Sequence, residues 1–262
     1  CGNTKTATQK ITVRDTQKPV FTAMPQNLTL QCSDPVPSPA NAMATDNCDS
    51  EVAVVFLGQS AGNAGCQNSY QLFRTWKATD KCGNSTVATQ TITIQDTQAP
   101  SFTSVPNDVT IQCSNPVPSI GQTTATDACA GYVQITFLGQ TSTAGDCPQE
   151  KVIRRRWITV DNCANINACE HFITVQDTTK PVLTLLDITV SLNCNDDLSP
   201  AGPAGTATAT DNCDANPIVE YDDVVTSGSC NHSWTITRTW TATDACGNTT
   251  TISQTISVQD IS

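Results

Sequence analysis

The sequence predicts an all-β protein, built as a tandem array of small antiparallel β-sandwiches stapled by disulfides. Three observations carry that expectation. Cys1, Cys82, Cys163 and Cys246 are separated by 81, 81 and 83 residues, and fixed-period self-similarity of this kind marks repeat architectures. Between clusters of Pro, Gly, Asn and Asp, the chain runs in short stretches of Val, Ile, Thr, Phe and Tyr, which suit a pleated, half-buried surface. Finally, only 5% of residues are aromatic while 14 are cysteine. Each unit therefore has a modest core that needs covalent support.

Other landmarks move with the period. "RDTQKP" (14–19), "QDTQAP" (95–100) and "QDTTKP" (176–181) are versions of one linker. "LQCSDPVPS" (30–38) matches "IQCSNPVPS" (111–119), and "FRTW" (73–76), "RRRW" (154–157) and "TRTW" (237–240) share a register. These landmarks divide the chain into a closing strand of an upstream repeat at 1–15 and three repeats of about 81–84 residues, at 16–96, 97–177 and 178–262. The closing strand is expected to occupy a sheet edge.

Within the first repeat the sequence places strands before Pro25, at Asn27–Cys32, at Val52–Leu57, at Tyr70–Thr79 and at Thr86–Gln95. Ile92 and Ile94, Ile173 and Val175, and Ile256 and Val258 alternate with polar residues just before each linker, the period of a half-buried strand. Trp76, Trp157 and Trp240 recur once per unit, so core packing is favoured over a ligand site. Trp234 stands outside that pattern and is expected at the surface. Several strands per unit with turns between them indicate a sandwich of immunoglobulin type.

Composition excludes several functions. The two histidines, His171 and His232, fall at non-matching positions, and the chain has no phosphate-binding loop, no nucleophile elbow and no redox CxxC. No enzymatic role is expected. A net charge of −11 argues against nucleic acid, which demands a basic face. No 18-residue apolar run spans a membrane, and the cysteine content indicates an oxidising, extracellular compartment.

The acidic residues are better organised. Each repeat carries a "TDNCD"-like loop and a "TDxC"-like loop, and each linker adds one aspartate. In such a sandwich both loops lie at the end where the chain enters. Asp15 should then approach Asp46 and Asp80; Asp96 should approach Asp127 and Asp161; Asp177 should approach Asp211 and Asp244. Three carboxylates brought together repel unless neutralised, and Ca2+ accepts such oxygen ligands. Asn84, Asn165 and Asn248 could add an oxygen or cap the turn. The simpler alternative is that these aspartates only form turns.

Four cysteines allow three pairings within a repeat. The shared loop end brings Cys48 to Cys82, Cys129 to Cys163 and Cys213 to Cys246. If the long strand runs antiparallel to the second strand, Cys32 meets Cys66, Cys113 meets Cys147 and Cys194 meets Cys230. Cys1 is then expected to bond the upstream counterpart of Cys48, and Cys169 to be unpaired or a cross-link between chains.

"ATDNCD", "RTWKATDKCGN", "TITIQDTQAP" and "PNDVTIQC" together resemble the HYR-like, immunoglobulin-fold repeats of very large secreted bacterial surface proteins. The resemblance covers the chain repeat by repeat. It implies a tandem array in adhesins, stalks or extracellular fibres, without catalytic residues. Cys169 departs from the pattern, because the usual partner position is Val105.

The expected function is structural: a segment of an extracellular bacterial fibre, stalk or giant adhesin, a rod of repeats held by disulfides and by calcium at the junctions. Its partners would be adjacent repeats or copies of itself, head to tail in one continuous chain rather than by strand donation between protomers. The alternative is an adhesive module recognising glycan or protein. That reading would rest on the points where one repeat deviates: Asp222-Asp223 and the three-residue insertion of the last repeat, the Arg154–Arg156 cluster and Cys169 of the middle one, and Trp234. Asn27, Asn84, Asn231 and Asn248 lie in glycosylation sequons.

Overall fold

A computed structural model describes residues 1–63, 65–228 and 233–259. It contains eighteen strands and, among the described residues, no helix. They fall into three sets of six. The first set is β1 (Val20–Ala23), β2 (Leu28–Gln31), β3 (Met43–Thr45), β4 (Ala53–Asn63), β5 (Tyr70–Thr79) and β6 (Ser85–Gln95). The second is β7 (Ser101–Ser104), β8 (Val109–Gln112), β9 (Thr124–Thr126), β10 (Gln134–Ala144), β11 (Lys151–Val160) and β12 (Ile166–Gln176). The third is β13 (Val182–Thr184), β14 (Thr189–Asn193), β15 (Thr208–Thr210), β16 (Ile218–Ser227), β17 (Trp234–Thr243) and β18 (Thr249–Gln259).

Each set forms the same two sheets. The short pair β1–β3 faces a four-stranded sheet of order β2-β6-β5-β4, and β7–β9 with β8-β12-β11-β10, and β13–β15 with β14-β18-β17-β16, repeat it. The larger sheet is antiparallel except that β2 runs parallel to β6, with Leu28 opposite Ile92, β8 runs parallel to β12, and β14 runs parallel to β18. The fold is thus an all-β tandem sandwich, as the sequence indicates.

Alternation explains the inner face. In β5, Leu72, Arg74, Trp76 and Ala78 are buried while their neighbours are partly exposed. Ile236, Arg238, Trp240 and Ala242 repeat this in β17. Leu72, Ile92 and Ile94 form the core of the first set; Ile153, Ile173 and Val175 that of the second; Leu192, Ala204, Ile236, Ile256 and Val258 that of the third. The tryptophan that recurs once per repeat packs on an aromatic ring of the neighbouring strand: Phe56 on Trp76, Phe137 on Trp157 and Tyr221 on Trp240, at centroid distances of 5.2, 5.2 and 5.3 Å. Trp234 differs from the sequence expectation. It takes the register of Tyr70 at the start of the long strand and packs, half-buried, against the third core.

The arginine of each Arg-x-Trp is buried and clamps an irregular segment onto the sheet. Arg74 donates to Pro37 O (2.6 Å) and Gln59 Oε1 (3.3 Å); Arg155 donates to Pro118 O, Ser119 O and Gln140 Oε1. Arg238 donates to Leu198 O and, through two nitrogens, to Asp223 at 2.8 and 2.9 Å. The Asp222-Asp223 deviation of the third repeat therefore supplies the same clamp with a charged partner. In the "RRR" cluster, Arg155 faces inward while Arg154 and Arg156 are exposed beside Glu170.

Residues 1–13 form no strand and are exposed, with Val13 at 93%. The expected sheet edge for 1–15 is not formed. The counterparts β6 and β18 each pair with a long strand on one side and a parallel strand on the other.

One turn is locally strained. Between each long strand and its closing strand, Gly83 and Gly247 adopt φ of 90° and 84°, whereas Ala164 at the equivalent position adopts 66°. A Cβ disfavours this left-handed region by about 1 kcal/mol. Ala164→Gly is therefore expected to raise stability by about 0.5 kcal/mol once the added freedom of the unfolded glycine is counted. Chemical denaturation, read as a rise in midpoint at unchanged slope, checks it.

Candidate functional site

Two compact units make up the chain, and neither is bounded by a linker. One comprises Cys1–Thr103 with residues 125–135 and 159–167; the other comprises residues 104–124 and 136–158 with Ala168–Ser262. Each junction between repeats thus lies inside one unit, and the junction is where the chemistry concentrates.

At the first junction, Cys32, just after β2, bonds Cys129, and Cys66, just before β5, bonds Cys163. At the second, Cys113 bonds Cys213 and Cys147 bonds Cys246. Cα–Cα separations of 5.6, 5.1, 5.9 and 5.1 Å suit such bridges. This corrects the pairings expected within repeats: Cys32–Cys66, Cys113–Cys147, Cys129–Cys163 and Cys213–Cys246 are replaced by bonds between repeats, and Cys48 and Cys82, expected to pair, are both free and exposed. Cys194 bears no disulfide, and its expected partner Cys230 lies outside the described residues.

The physical reason is visible in the sheet order. The end of β2 and the start of β5 do share one end, but β6 lies between the two strands, so their cysteines point on to the next repeat. The two aspartate loops also share an end, as expected, yet both of their cysteines face back across the linker. Cys1 is exposed and bears no disulfide, whereas its counterparts Cys163 and Cys246 bond Cys66 and Cys147.

Hydrogen bonds close the junction around these bridges. Gln31 Nε2 donates to Thr97 Oγ1 (2.7 Å) and Gln31 Oε1 accepts from Thr97 N (3.3 Å), holding the linker to the end of β2; Gln112 and Thr178 repeat the pair. Asn162 Nδ2 donates to Gln67 Oε1 (2.9 Å), Asn68 Nδ2 to Cys129 O, and Asn212 Nδ2 to Ser114 Oγ (3.0 Å). Pro100 and Pro181, the linker prolines, are fully buried.

The aspartates gather to different degrees. At the second junction, carboxylate oxygens of Asp177, Asp211 and Asp244 lie within 4.8 Å of one another. At the first, Asp96 lies that close to Asp127 and, in a separate set, to Asp161. At the entry of the first repeat, Asp15 and Asp46 meet the Cys48 sulfur, in a set that does not include Asp80. One oxygen of each carboxylate forms a turn. Asp177 Oδ1 accepts from Thr179 N, Asp211 Oδ1 from Cys213 N and Asp214 N, and Asp244 Oδ1 from Cys246 N and Asn248 N. The turn role expected as the simple alternative is real, but it uses only half of each carboxylate. Asp177 Oδ2 and Asp211 Oδ2 are buried with no hydrogen-bond partner.

Burial of Asp177 pushes its carboxyl above the ordinary aspartate range, and the charges of Asp211, Asp244 and Asp214 add to this against the hydrogen bond from Thr179 N. Asp96 is raised in the same way by burial, then by Asp127 and Asp161, against the bond from Gln98 N. The asparagines act here through their side-chain nitrogens. Asn165 Nδ2 donates to Asp161 Oδ2 (2.9 Å) and Asp96 O (3.3 Å), and Asn248 Nδ2 to Asp244 Oδ2 (2.8 Å) and Asp177 O (3.2 Å). Each is a strut between the closing loop and the linker. Asn84 is placed likewise between Asp80 and Asp15 O.

For the sequons this has a consequence. Asn84 and Asn248 already use the nitrogen that would carry a sugar, whereas Asn27 is exposed and its Oδ1 accepts from Thr91 N. Asn231 lies outside the described residues, as do His232 and Asp260. Cys169 is a partly buried free thiol in β12, pushed up chiefly by desolvation and then by Glu170.

Among the described residues, no helix is long and apolar enough to cross a membrane. No curated protein matches the chain in sequence. Among solved structures, it is similar to the extracellular domain of protocadherin GammaB4, with 16% identity over 93% of this chain and 51% of that one and a TM-score of 0.36. It is likewise similar to Drosophila N-cadherin EC1-4 (13% identity, 93% and 76% covered, TM-score 0.30) and to the human desmocollin-1 ectodomain (12%, 93% and 61%, 0.30). The chain thus spans about half the length of the protocadherin chain it matches. The sequence model of the HYR-like domain with four cysteines matches residues 20–94 and 185–258, more than half of the chain. With its four cysteines per repeat placed on matching loops, this chain belongs to the HYR-like domain family with four cysteines.

Proposed function

We propose that the chain is a structural segment of an extracellular bacterial fibre, stalk or giant adhesin, whose repeats are coupled end to end so that the joints do not swing. One observation carries the reading: two disulfides cross each of the two junctions, in addition to a hydrogen-bonded linker. A joint between domains of one chain is ordinarily small and mobile, and a pair of covalent ties removes that freedom. Chain organisation into repeats at 16–96, 97–177 and 178–262 goes with this proposal, and the partners are adjacent repeats. No catalytic role belongs to it.

A divalent cation at each junction is part of the same reading. The carboxylates of Asp177, Asp211 and Asp244 fit a hard cation that takes oxygen ligands, and buried, unpartnered Oδ2 atoms on two of them supply acceptors not used by the turns. Calcium would neutralise the cluster and hold the linker Asp177 to both loops. Asp96, Asp127 and Asp161 would serve the first junction; Asp15, Asp46 and Asp80 would serve one with a preceding repeat.

Two markers of the adhesive alternative have structural roles, since Asp223 is a clamp partner and Trp234 packs half-buried against the third core, while Arg154 and Arg156 stay exposed. The test is electron microscopy of the native material. Filaments that persist in chelator but fall apart or soften when reductant is added are the expected result. Dispersed single chains in the native state would overturn the reading.

A further inference from the structure

The exposed thiols Cys48 and Cys82 occupy, on the first repeat, the places that Cys129 and Cys163 occupy on the second and Cys213 and Cys246 on the third. At both internal junctions, these two places are bonded to the preceding repeat's β2-end cysteine and β4–β5-loop cysteine, in that order. On the first repeat they line an open cleft of about 440 Å³ together with Asp15, Gln17 and Asn47. The third repeat carries the complementary group, because Cys194, just after β14, bears no disulfide.

We infer that the Cys48–Cys82 face is a covalent docking site for the far end of another four-cysteine repeat, forming two disulfides in fixed order, β2-end cysteine to Cys48 and β4–β5-loop cysteine to Cys82. This deepens the structural reading, on which it rests for the head-to-tail order. Three features argue for a like repeat as occupant. The pairing order is the same at both internal junctions. Cys48 and Cys82 share one cleft rather than lying on separate faces. The strut Asn84 and linker Asp15, which meet at 3.4 Å, are already set as Asn165 and Asp96 are at an occupied junction.

The oxidant is a low-molecular-weight disulfide such as oxidised glutathione. The Cys48 thiolate attacks one of its sulfurs, forming a mixed disulfide and releasing one small thiolate. The incoming cysteine's thiolate then attacks the Cys48 sulfur, forming the bond between repeats and releasing the second. Each bond moves two electrons from the two protein thiols to the small disulfide, and their two protons end on the two released thiols.

The experiment uses the chain itself as the probe, concentrated in a glutathione redox buffer. The expected result is a non-reducing ladder in steps of 27.8 kDa, joined by Cys194–Cys48 and Cys230–Cys82 in peptide maps. Cys1→Ser/Cys169→Ser should leave the ladder intact. Cys48→Ser/Cys82→Ser, which keeps all four internal bridges, should abolish it. A monomer that holds a Cys48–Cys82 bond or two bound glutathiones, or a ladder that survives the Cys48→Ser/Cys82→Ser change, overturns the inference. The ladder reads thiol pairing alone, whereas imaging of native material reads the fibre role, so the two can fail separately.

Discussion

Replacing Cys66 and Cys163 together by serine should cost about 4 kcal/mol of unfolding free energy at the first junction. The bridge closes a sequence separation of 97 residues, and constraining a loop of that size removes about 4–5 kcal/mol of unfolded-state entropy. The companion bridge Cys32–Cys129 spans the same 97 residues, so with it in place the loss falls toward the lower figure. Changing both partners matters, because one orphaned thiol in a chain that also carries the free Cys48 and Cys82 would invite exchange. Thermal or denaturant unfolding of the double variant checks the value. An unchanged midpoint would mean that the bridge closes no long loop. The cores would suffer less than the joint, since Leu72, Ile92, Ile94 and their counterparts lie within single sandwiches.

Calcium should stabilise the chain by about 2.7 kcal/mol at a hundredfold excess over its dissociation constant, and the effect should grow with pH. The sign follows from the carboxyls. Asp96 and Asp177 hold their protons more tightly folded than unfolded, so the folded state binds more protons between the two pKa values, and stability falls as pH rises through that window. Without divalent cations, these two groups make the junctions less stable at neutral pH than just above pH 4. Calcium reverses this, since it binds the ionised carboxylates and is excluded by their protons. Asp177→Asn separates the contributions: it should stabilise the calcium-free chain at neutral pH and remove the calcium response of the second junction. Melting curves at pH 4.5 and pH 7, with calcium and with chelator, are the measurement. Equal stability with and without calcium at pH 7 would eliminate the cation from the account.

Much of the sandwich was legible because alternation and turn residues point to the same strands. Tyr70–Thr79 was read to the residue, since Leu72, Arg74, Trp76 and Ala78 mark one face. Two features escaped. The strand Met43–Thr45 is three residues long, too short to show a period. β4 continues past Leu57 to Asn63 because Gly58, at φ of 122°, carries a bulge where the register shifts between Phe56 and Gly58, and in the sequence that glycine reads as a stop.

The cysteine pairing was hidden for a different reason. When every repeat has the same four cysteines, pairing within repeats and pairing between them look identical in the sequence, because Cys48 and Cys129 are equivalent positions. One signal did point the right way. The aspartate loops were placed beside the incoming linker, and a loop that touches the linker also lies beside the end of the preceding repeat. The residues that fill that interface, Gln31, Gln67, Asn68 and Asn162, are ordinary polar residues whose roles depend on the neighbouring repeat's loops.

Peptide mapping of the oxidised chain under non-reducing conditions tests the central claim, that the disulfides tie repeats to each other. The account predicts linked peptides joining Cys32 to Cys129, Cys66 to Cys163, Cys113 to Cys213 and Cys147 to Cys246. Peptides joining Cys32 to Cys66 or Cys129 to Cys163 would contradict it, because each repeat would then be closed on itself and its joints free to swing.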